Sequence, residues 1–234
     1  VSKLNLRRYG FHGIAHAALW RRWCQVAQGE RIISLQLGSG ASITATRNGK
    51  PLDTSMGFTP LEGLVMGTRS GDLDPGLLLY LQANGLGPEE LSDTLYRRSG
   101  LLGISGISAD MRVLLASDEA AARLAIAVYC YRARKYLGAY LTVLGGADGI
   151  LFGGGVGEHS PEIRARILTG LEWLGIELDA GRNAALRDGE GCISTPGSRI
   201  AVWVVPVDEA TLLAEAAHEV MVAKQPAKVR RRIS

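Results

Sequence analysis

Alternating apolar and polar positions predict three short strands in the first quarter of the chain. Residues 31–37 alternate up to a Gly-Ser-Gly turn, residues 42–47 resume a β-rich run, and the pair Asn48-Gly49 separates that run from residues 50–53. An Asn-Gly pair between two such runs is a strong hairpin signal. We therefore predict antiparallel strands at these three ranges, preceded by a helical lead-in over residues 1–30.

The pattern changes to a helical period after Ser117. Ser117 is a residue type that caps helices, and the acidic Asp118 and Glu119 suit the positive end of the helix dipole. Alanine and leucine then dominate through Leu144. The spacing predicts one long, largely buried helix.

A strand, a glycine loop and a helix are predicted after this long helix. Residues 147–152 are apolar, residues 153–157 read Gly-Gly-Gly-Val-Gly, and Ser160 stands before a proline and a glutamate. A cap residue followed by a first-turn proline is typical of a helix start.

The last predicted elements are a strand over residues 199–205 and a helix over residues 209–222, which Asp208 would cap. The order is three strands, several helices, then strand, helix, strand and helix. That order indicates an α/β fold in which a mixed sheet is flanked by helices.

Composition places the 234-residue chain among globular proteins, with 47% apolar, 21% charged and 6% aromatic residues. The longest uncharged stretch, residues 32–46, is shorter than the roughly 20 residues that cross a bilayer, so we expect no membrane span. Cys24, Cys130 and Cys192 are odd in number and lack C-x-x-C spacing. They favour a reducing cytoplasm over a disulfide framework or a zinc site.

Basic charge is concentrated in residues 224–234, which carry five positive charges and no acid. Removing this segment takes the net charge from +3 to −2. We interpret it as a flexible, solvated basic tail; the alternative is contact with nucleic acid or an acidic surface. The rest of the chain has no basic stripe with interleaved aromatic residues, so nucleic-acid binding is not favoured.

Glycine is abundant, at 30 of 234 residues, and clusters in tight turns. Backbone N–H groups in such turns form anion cradles, which suggests a phosphate ligand. No P-loop motif is present. Residues 153–157 miss the spacing of a dinucleotide fingerprint, although Glu177 and Asp179 follow at the distance of a ribose-binding acid, so a dinucleotide-binding domain stays an alternative.

Five sequence blocks, in order, closely resemble the signature of the acetokinase (acetate kinase) family. The central block, residues 53–75, is on local grounds a polar, glycine-punctuated loop flanking a short helix. The other blocks are RRYGFHGIAH at 7–16, LGSGASI at 37–43, SGISADMR at 105–112 and FGGGVGEHSPEIR at 152–164. The resemblance implies the ribonuclease H-like, actin-like ATPase fold of the acetate and sugar kinase, Hsc70 and actin superfamily.

The resemblance also implies a reaction and a domain arrangement. Residues 31–223 would form a C-terminal nucleotide-binding kinase domain that transfers the γ-phosphoryl group of ATP reversibly to acetate, or to a similar short-chain carboxylate. The products would be acetyl phosphate and ADP, with Mg²⁺ as cofactor and a homodimer as assembly. Such transfer depends on positioning and charge neutralisation.

Two residues resemble the family's catalytic groups. Arg69 resembles the arginine that stabilises the transferring phosphoryl group, and its planar, permanently charged fork suits phosphate oxygens. His12 resembles the histidine that hydrogen-bonds the same group; without the resemblance it is a satisfied turn residue. His12 and His16 have i, i+4 spacing but lack the intervening glutamate of a zincin, so we expect no metal site between them.

Further positions resemble the nucleotide-binding set. Gly155 and Val156 match backbone that lies along the adenine, where larger side chains would obstruct approach. Asp110, with the two residues after it, matches the adenosine-side contacts; its alternative is a helix cap beside a surface arginine. Glu209 resembles a magnesium-linked carboxylate, or else is a first-turn acid. The remaining matched positions are Gln36, Gly38, Ser39, Gly40, Met111, Arg112, Gly154, Gly157 and His159.

Several departures from the family pattern support a second interpretation. Gln36 and Ser39 stand where the family commonly has His and Asn, and His159 stands where it usually has Asn. Family members also begin with a domain of roughly 150 residues that this chain, beginning at Val1, is expected to lack. The alternative is therefore a non-catalytic nucleotide-binding or dimerisation module, a truncated or decayed C-terminal half.

Overall fold

A computed structural model describes residues 4, 6–208, 210–214, 217 and 221. Its centre is a six-stranded sheet with the strand order β3-β2-β1-β4-β6-β5. The strands are β1 Arg31–Leu37, β2 Ala41–Arg47, β3 Lys50–Thr54, β4 Gly149–Gly153, β5 Gly191–Cys192 and β6 Ala201–Val204. The helices are α1 Gly13–Val26, α2 Pro75–Ala83, α3 Pro88–Arg97, α4 Gly100–Ser105, α5 Met111–Leu115, α6 Ala120–Leu144, α7 Gly154–His159, α8 Pro161–Leu168 and α9 Ala180–Ala185.

The three predicted antiparallel strands are confirmed. β1 pairs with β2 and β2 with β3, both antiparallel. Asn48 and Gly49 have φ values of 51° and 75°, the left-handed conformation that a two-residue hairpin turn requires at both positions. β2 begins at Ala41 and β3 extends to Thr54, one residue beyond each predicted bound.

The parallel part of the sheet fixes the location of the glycine turns. β1 pairs with β4, and β4 with β6, in parallel. The register places Gln36 opposite Gly153, so both strands end at the same edge. Ligands bind at this edge in α/β sheets, outside the carboxyl ends of parallel strands. The β1–β2 turn and helix α7 therefore meet there.

Helices cover both faces of the sheet. Helix α6 packs on β1 and β2 through a buried face that includes Ala125, Ile126 and Tyr129. On the other face, Leu19 and Trp23 of α1 pack with Ile32 of β1, Leu151 of β4 and Val205, which follows β6. The mixed sheet flanked by helices is thus confirmed, and α1 occupies residues 13–26 of the predicted lead-in.

Two predicted helix details are wrong. Helix α6 begins at Ala120 after the N-cap residue Glu119, not at Ser117, whose hydroxyl instead accepts from the Glu119 N–H. The glycine segment predicted as a loop forms helix α7, Gly154–His159, directly after β4. Ser160, by contrast, caps α8 as predicted, accepting from the Ile163 N–H.

Asp208 also caps as predicted, since its carboxylate accepts from the N–H groups of Ala210 and Thr211, both at 3.1 Å. Cys24, Cys130 and Cys192 are free thiols. Within the described part of the chain, no helix combines the length and the apolar character needed to cross a membrane. The predicted tail, residues 224–234, lies outside the described residues.

Candidate functional site

A cavity of about 820 Å³ opens at the carboxyl edge of the parallel strands. This volume lies within the range of about 300–1,000 Å³ that small-molecule sites occupy. It is lined by eight of the predicted nucleotide contacts, Gly38, Ser39, Asp110, Met111, Arg112, Gly155, Val156 and His159. The cavity is also lined by residues that the sequence analysis did not predict as nucleotide contacts: Leu101, Ala109, Leu115, Ala116, Tyr129, Ser160, Pro161, Glu162 and Arg187.

The β1–β2 turn forms one wall of this cavity. The Gly38 N–H donates to the Gly40 carbonyl at 3.0 Å, which closes the turn, and the Gly67 N–H donates to the Ser39 carbonyl at 3.0 Å. The second bond ties the turn to the loop that carries Arg69. The turn and the arginine loop are therefore held together by backbone contacts.

Arg69 and His12 converge beside Gly40. A Cβ built on Gly40 would lie 2.9 Å from Arg69 Nη2 and 3.5 Å from His12 Nε2. Arg69 Nη2 and His12 Nε2 therefore both lie within 3.5 Å of one point at the end of the turn. These two predicted catalytic residues are 57 positions apart in sequence and are brought together by the fold.

The guanidinium of Arg69 is held without a carboxylate. Its Nη1 donates to the Pro60 carbonyl at 2.8 Å, and among the described residues it forms no ion pair. An arginine with no acidic partner keeps its full positive charge for a ligand. The arrangement suits an anion at the position that both Arg69 and His12 approach.

The loop that carries Arg69 runs over residues 55–74 and contains no helix. Asp72 braces it: Oδ1 accepts from the Gly63 N–H at 2.8 Å, and Oδ2 accepts from Arg132 at 2.9 Å and from the Tyr136 hydroxyl at 2.8 Å. Because Arg132 and Tyr136 belong to α6, the loop is fastened to the longest helix. The predicted short helix follows the loop as α2, capped by Asp74.

His12 and His16 share one serine hydroxyl. Ser42 Oγ lies 2.9 Å from His12 Nδ1 and 2.8 Å from His16 Nε2. His16 Nδ1 lies 2.7 Å from Ser34 Oγ. Burial, and to a smaller extent the neighbouring His12, lowers the pKa of His16 from 6.5 to about 3, so His16 is neutral at physiological pH. Serine hydroxyls thus contact Nδ1 of His12 and both ring nitrogens of His16.

Helix α7 forms the opposite wall of the cavity. Gly154 has a φ of 76°, and a Cβ there would lie 2.7 Å from the Leu37 carbonyl oxygen, so no larger residue fits. A Cβ on Gly155 would meet nothing within 4 Å, because that position faces open space. Gly157 lies in the same helix and is buried against the sheet. The backbone at Gly155 thus borders open space in the cavity.

Two residues that the sequence analysis did not identify hold α7 in place. Glu158 Oε1 accepts from the Gly154 N–H at 2.8 Å and from the Val207 N–H at 3.2 Å. Arg164 is fully buried and donates to the carbonyls of Gly157 and Glu158 at 2.9 and 2.7 Å. Its remaining donors bind Asn183 and the Leu186 carbonyl.

Arg164 therefore binds the carbonyls at the C-terminal end of α7 without any carboxylate partner. Desolvation lowers its pKa to about 10, which still leaves the guanidinium charged at pH 7. A cation at a helix C-terminus is favoured by the helix dipole. The sequence signal for Arg164 was an arginine between Ile163 and Ile167, on the buried apolar side of α8.

Asp110 and Arg112 form a pair at the cavity rim. Asp110 caps α5, accepting from the Arg112 N–H at 2.9 Å, and its carboxylate lies 2.6 Å from Arg112 Nη2. The Arg112 side chain is 90% exposed. Its hydrogen bond lowers the pKa of Asp110 to about 2, so the carboxylate is ionised. The structure therefore agrees with the alternative interpretation, in which Asp110 caps a helix and Arg112 lies on the surface. Both residues also line the cavity.

The other predicted residues in the described chain are not among those that line this cavity: His12, Gln36, Gly40, Arg69, Gly154 and Gly157. His159 ends α7 on the rim, where its Nδ1 donates to the Arg187 carbonyl at 2.8 Å. Gln36 is buried between the end of β1 and Gly153, and is not among the residues that line the described cavity. Glu209 lies outside the described residues. Within the described residues, no group of three or more His, Cys, Asp or Glu is placed to hold a metal ion.

The comparisons with known proteins agree on one family. The model of the acetokinase family matches residues 1–215. The acetate kinase of Solibacter usitatus (strain Ellin6076) is 53% identical over 218 residues, which cover 89% of this chain and 53% of that protein. The chain thus spans about half the length of the curated relatives it matches.

Solved structures of this family share the fold. The acetate kinase of Porphyromonas gingivalis matches with a TM-score of 0.90 and 42% identity, over 94% of this chain and 57% of that one. A propionate kinase from Francisella tularensis subsp. tularensis SCHU S4 matches with a TM-score of 0.84 and 37% identity, over 91% of this chain and 56% of that one. The architecture is therefore that of the actin-like ATPase fold, as expected.

Proposed function

Because the chain belongs to the acetokinase family, we propose that it is the nucleotide-binding half of a carboxylate kinase. The reaction is the reversible transfer of the ATP γ-phosphoryl group to acetate, or to a similar short-chain carboxylate such as propionate. The products are the acyl phosphate, acetyl phosphate for acetate, and ADP. The observation that carries this proposal is the convergence of Arg69 and His12 beside Gly40, in the turn whose residues Gly38 and Ser39 line the cavity.

The cavity supports a definite orientation for the nucleotide. The adenosine lies between α7, open at Gly155 and Val156, and the rim residues Asp110 and Arg112. The phosphates then run along the β1–β2 turn towards Arg69. Apolar lining residues such as Leu101, Met111 and Val156 suit the base, and Arg69 and His12, beyond the turn, suit the phosphates.

The proposed step is an in-line displacement at the γ-phosphorus. A carboxylate oxygen of the acceptor forms a bond to phosphorus, and the bond from phosphorus to the β–γ bridging oxygen breaks. That oxygen leaves with the electron pair as part of ADP. Arg69 neutralises charge on the transferring oxygens and His12 donates a hydrogen bond to them, and such electrostatic stabilisation is the main contribution that proteins make to phosphoryl transfer. No proton needs to move from the acceptor, which is already ionised.

Mg²⁺ is proposed as a partner of the nucleotide phosphates. Mg²⁺ in such sites is held by one or two carboxylates together with phosphate oxygens and water. The described residues supply no ready donor cluster, and Glu209, the expected ligand, lies outside them. No step above depends on the ion.

The acceptor site is proposed to lie between this domain and a second domain. The relatives are nearly twice as long as the matched segment, and about 150 residues is a common domain size. A second copy of the chain is the other proposed partner, since family resemblance implies a homodimer. The free thiols support a cytoplasmic location.

The second candidate is a nucleotide-binding or dimerisation module without catalysis. It is favoured by Gln36 and Ser39, neutral residues at positions where the family commonly has His and Asn. It predicts nucleotide binding without turnover even when a second domain is supplied.

A chimera separates the two candidates. The chain is fused behind the amino-terminal part of the Solibacter usitatus acetate kinase, and acyl phosphate formed from Mg-ATP and acetate is trapped with hydroxylamine. Turnover that disappears in the Arg69→Ala chimera supports the kinase. A folded chimera that binds Mg-ATP but forms no acyl phosphate favours the module.

A further inference from the structure

A continuous chain of hydrogen-bonding groups runs from the buried core to His12. It consists of Ser34, His16, Ser42 and His12, joined by contacts of 2.7, 2.8 and 2.9 Å. Ser34 is 0% exposed, Ser42 0% and His16 6%. Each of the three supporting side chains is thus shielded from water, so its polar atoms must find their hydrogen-bond partners within the protein.

The supporting residues lie on rigid elements. Ser34 and Ser42 belong to the paired central strands β1 and β2. His16 is one helical turn after His12, and its N–H donates to the His12 carbonyl at 2.9 Å. His12 itself has a φ of 58°, an unusual value for a residue other than glycine. Its ring orientation is therefore determined by side-chain and backbone contacts together, not by a relaxed backbone.

When the Ser42 O–H is donated to one of the two rings, proton counting leaves two directions for this chain. His16 is neutral and carries one N–H, and Ser42 carries one O–H. In the first direction, Ser34 donates to His16 Nδ1, His16 Nε2–H donates to Ser42, and Ser42 donates to His12 Nδ1. In the second direction every bond is reversed, and His12 Nδ1–H donates to Ser42.

The two directions differ at the atom that faces the proposed phosphoryl site. His12 Nε2 is the ring nitrogen beside Gly40 and Arg69. In the first direction a neutral His12 carries its proton on Nε2 and donates it towards an anion. In the second, a neutral His12 presents a lone pair there, which repels a phosphoryl oxygen.

We propose that His16, acting through Ser42, is a positioning residue that fixes the ring of His12 and keeps its proton on Nε2. This inference rests on the proposed function for the choice of direction. Groups that face the His12 ring include Ser42 from β2, His16 from α1 and Arg69 from the 55–74 loop.

The experiment is ¹⁵N NMR of the 234-residue chain with selectively labelled histidine, at pH 8 and without nucleotide. The chain has only four histidines, so His12 is assigned from the signals that a His12→Gln variant loses. We expect two well-separated ring ¹⁵N signals for His12, with the proton on Nε2. Ser42→Ala removes the donor to Nδ1, so the two signals move towards each other as the tautomers exchange.

Two further variants test the contribution of His16. His16→Gln and Ser34→Ala break the chain on either side of it, and both are expected to reduce the separation of the His12 signals. If His16→Gln does not fold, Ser34→Ala still reports, because it changes the proton on His16 and leaves the ring in place. Ser194→Ala is the matched control: it removes a buried serine hydroxyl that contacts Val202 and Cys192 instead.

A His12 proton on Nδ1 in the unmodified chain overturns the proposed direction. Unchanged His12 signals in Ser42→Ala, or in both His16→Gln and Ser34→Ala, overturn the positioning by His16. Because no nucleotide is present, these outcomes are independent of the proposed kinase activity. A fixed Nε2–H tautomer in a chain that fails to bind Mg-ATP would leave the positioning intact and remove the proposed function.

Discussion

Gly40 leaves no room for a side chain beside Arg69, since a Cβ there would lie 2.9 Å from the guanidinium Nη2. The nearest obstacle is the end of a flexible side chain, not backbone. A substitution at Gly40 therefore moves Arg69 instead of disrupting the fold. The turn sequence and the position of the arginine are thus coupled, although they belong to separate parts of the chain.

Gly40→Ala is expected to separate catalysis from stability. In the chimera, kcat falls on the order of 10²-fold, the scale of a misplacement of about 1 Å in a catalytic site. The melting temperature hardly changes. Gly138→Ala is the matched control, because a Cβ at that helix position meets nothing within 4 Å. Equal kcat in the two variants would show that Gly40 does not position Arg69.

Arg69→Ala is expected to lower kcat of the chimera on the order of 10³-fold, the lower end of the effect of an arginine that stabilises transferring phosphate. Arg69→Lys is not expected to restore the rate, because a lysine lacks the planar fork. The measurement is steady-state acyl phosphate formation at saturating Mg-ATP. An Arg69→Ala chimera with undiminished kcat would rule out the assignment.

Arg164→Met is expected to destabilise the fold strongly. It leaves several buried carbonyls at the ends of α7 and α9 without donors, and one such group costs about 1–3 kcal/mol. We expect a loss of about 3 kcal/mol or more in urea unfolding. Arg166→Met, on the same helix, breaks only an exposed pair with Glu162 and should change stability by about 0.5 kcal/mol or less. Similar losses in both variants would contradict the anchoring of α7.

The pH dependence of stability is expected to report His16. Its pKa falls from 6.5 in the unfolded chain to about 3 in the fold, so below pH 6.5 the unfolded chain binds a proton that the folded chain does not. This contribution is complete above pH 6.5 and is lost as the pH falls towards 3.

The free energy of unfolding should therefore decrease by up to about 1.4 kcal/mol per pH unit between pH 6 and pH 4.5 from this residue alone. Urea titrations of the unmodified chain and of His16→Gln across this range isolate the effect, because their difference removes the remaining titrating groups. Parallel curves for the two proteins would mean that His16 is not held neutral by the fold.

Local chemistry was sufficient to predict the hairpin and, to within one residue, the first and last residues of β1, β2 and β3. Asn48 and Gly49 require only a left-handed turn, and the structure has it at both positions. The glycine segment after β4 was predicted as a loop because glycine disfavours helices. It is helical because Glu158 satisfies the Gly154 N–H and Arg164 the carbonyls at the other end, contacts that only the folded chain provides.

The candidate site was predictable in its members but not in its connections. The resemblance placed His12 and Arg69 in one function, and the fold brings them to one point. In the sequence His12 and His16 were related only by their i, i+4 spacing, and Ser42, which joins them in the structure, comes from a strand 26 residues after His16. Ser42 can join the two histidines only because α1 packs on the sheet, and the local sequence pattern does not predict that packing.

Calorimetric titration of the 234-residue chain with Mg-ATP tests the central claim, that its cavity is an adenine nucleotide site, most directly. We predict a dissociation constant in the micromolar range, no binding of NAD, and loss of ATP binding in Gly155→Leu, whose side chain would enter the open space along the base. Gly138→Ala should bind like the unmodified chain. Absence of ATP binding, or equal affinity in Gly155→Leu, would contradict the account.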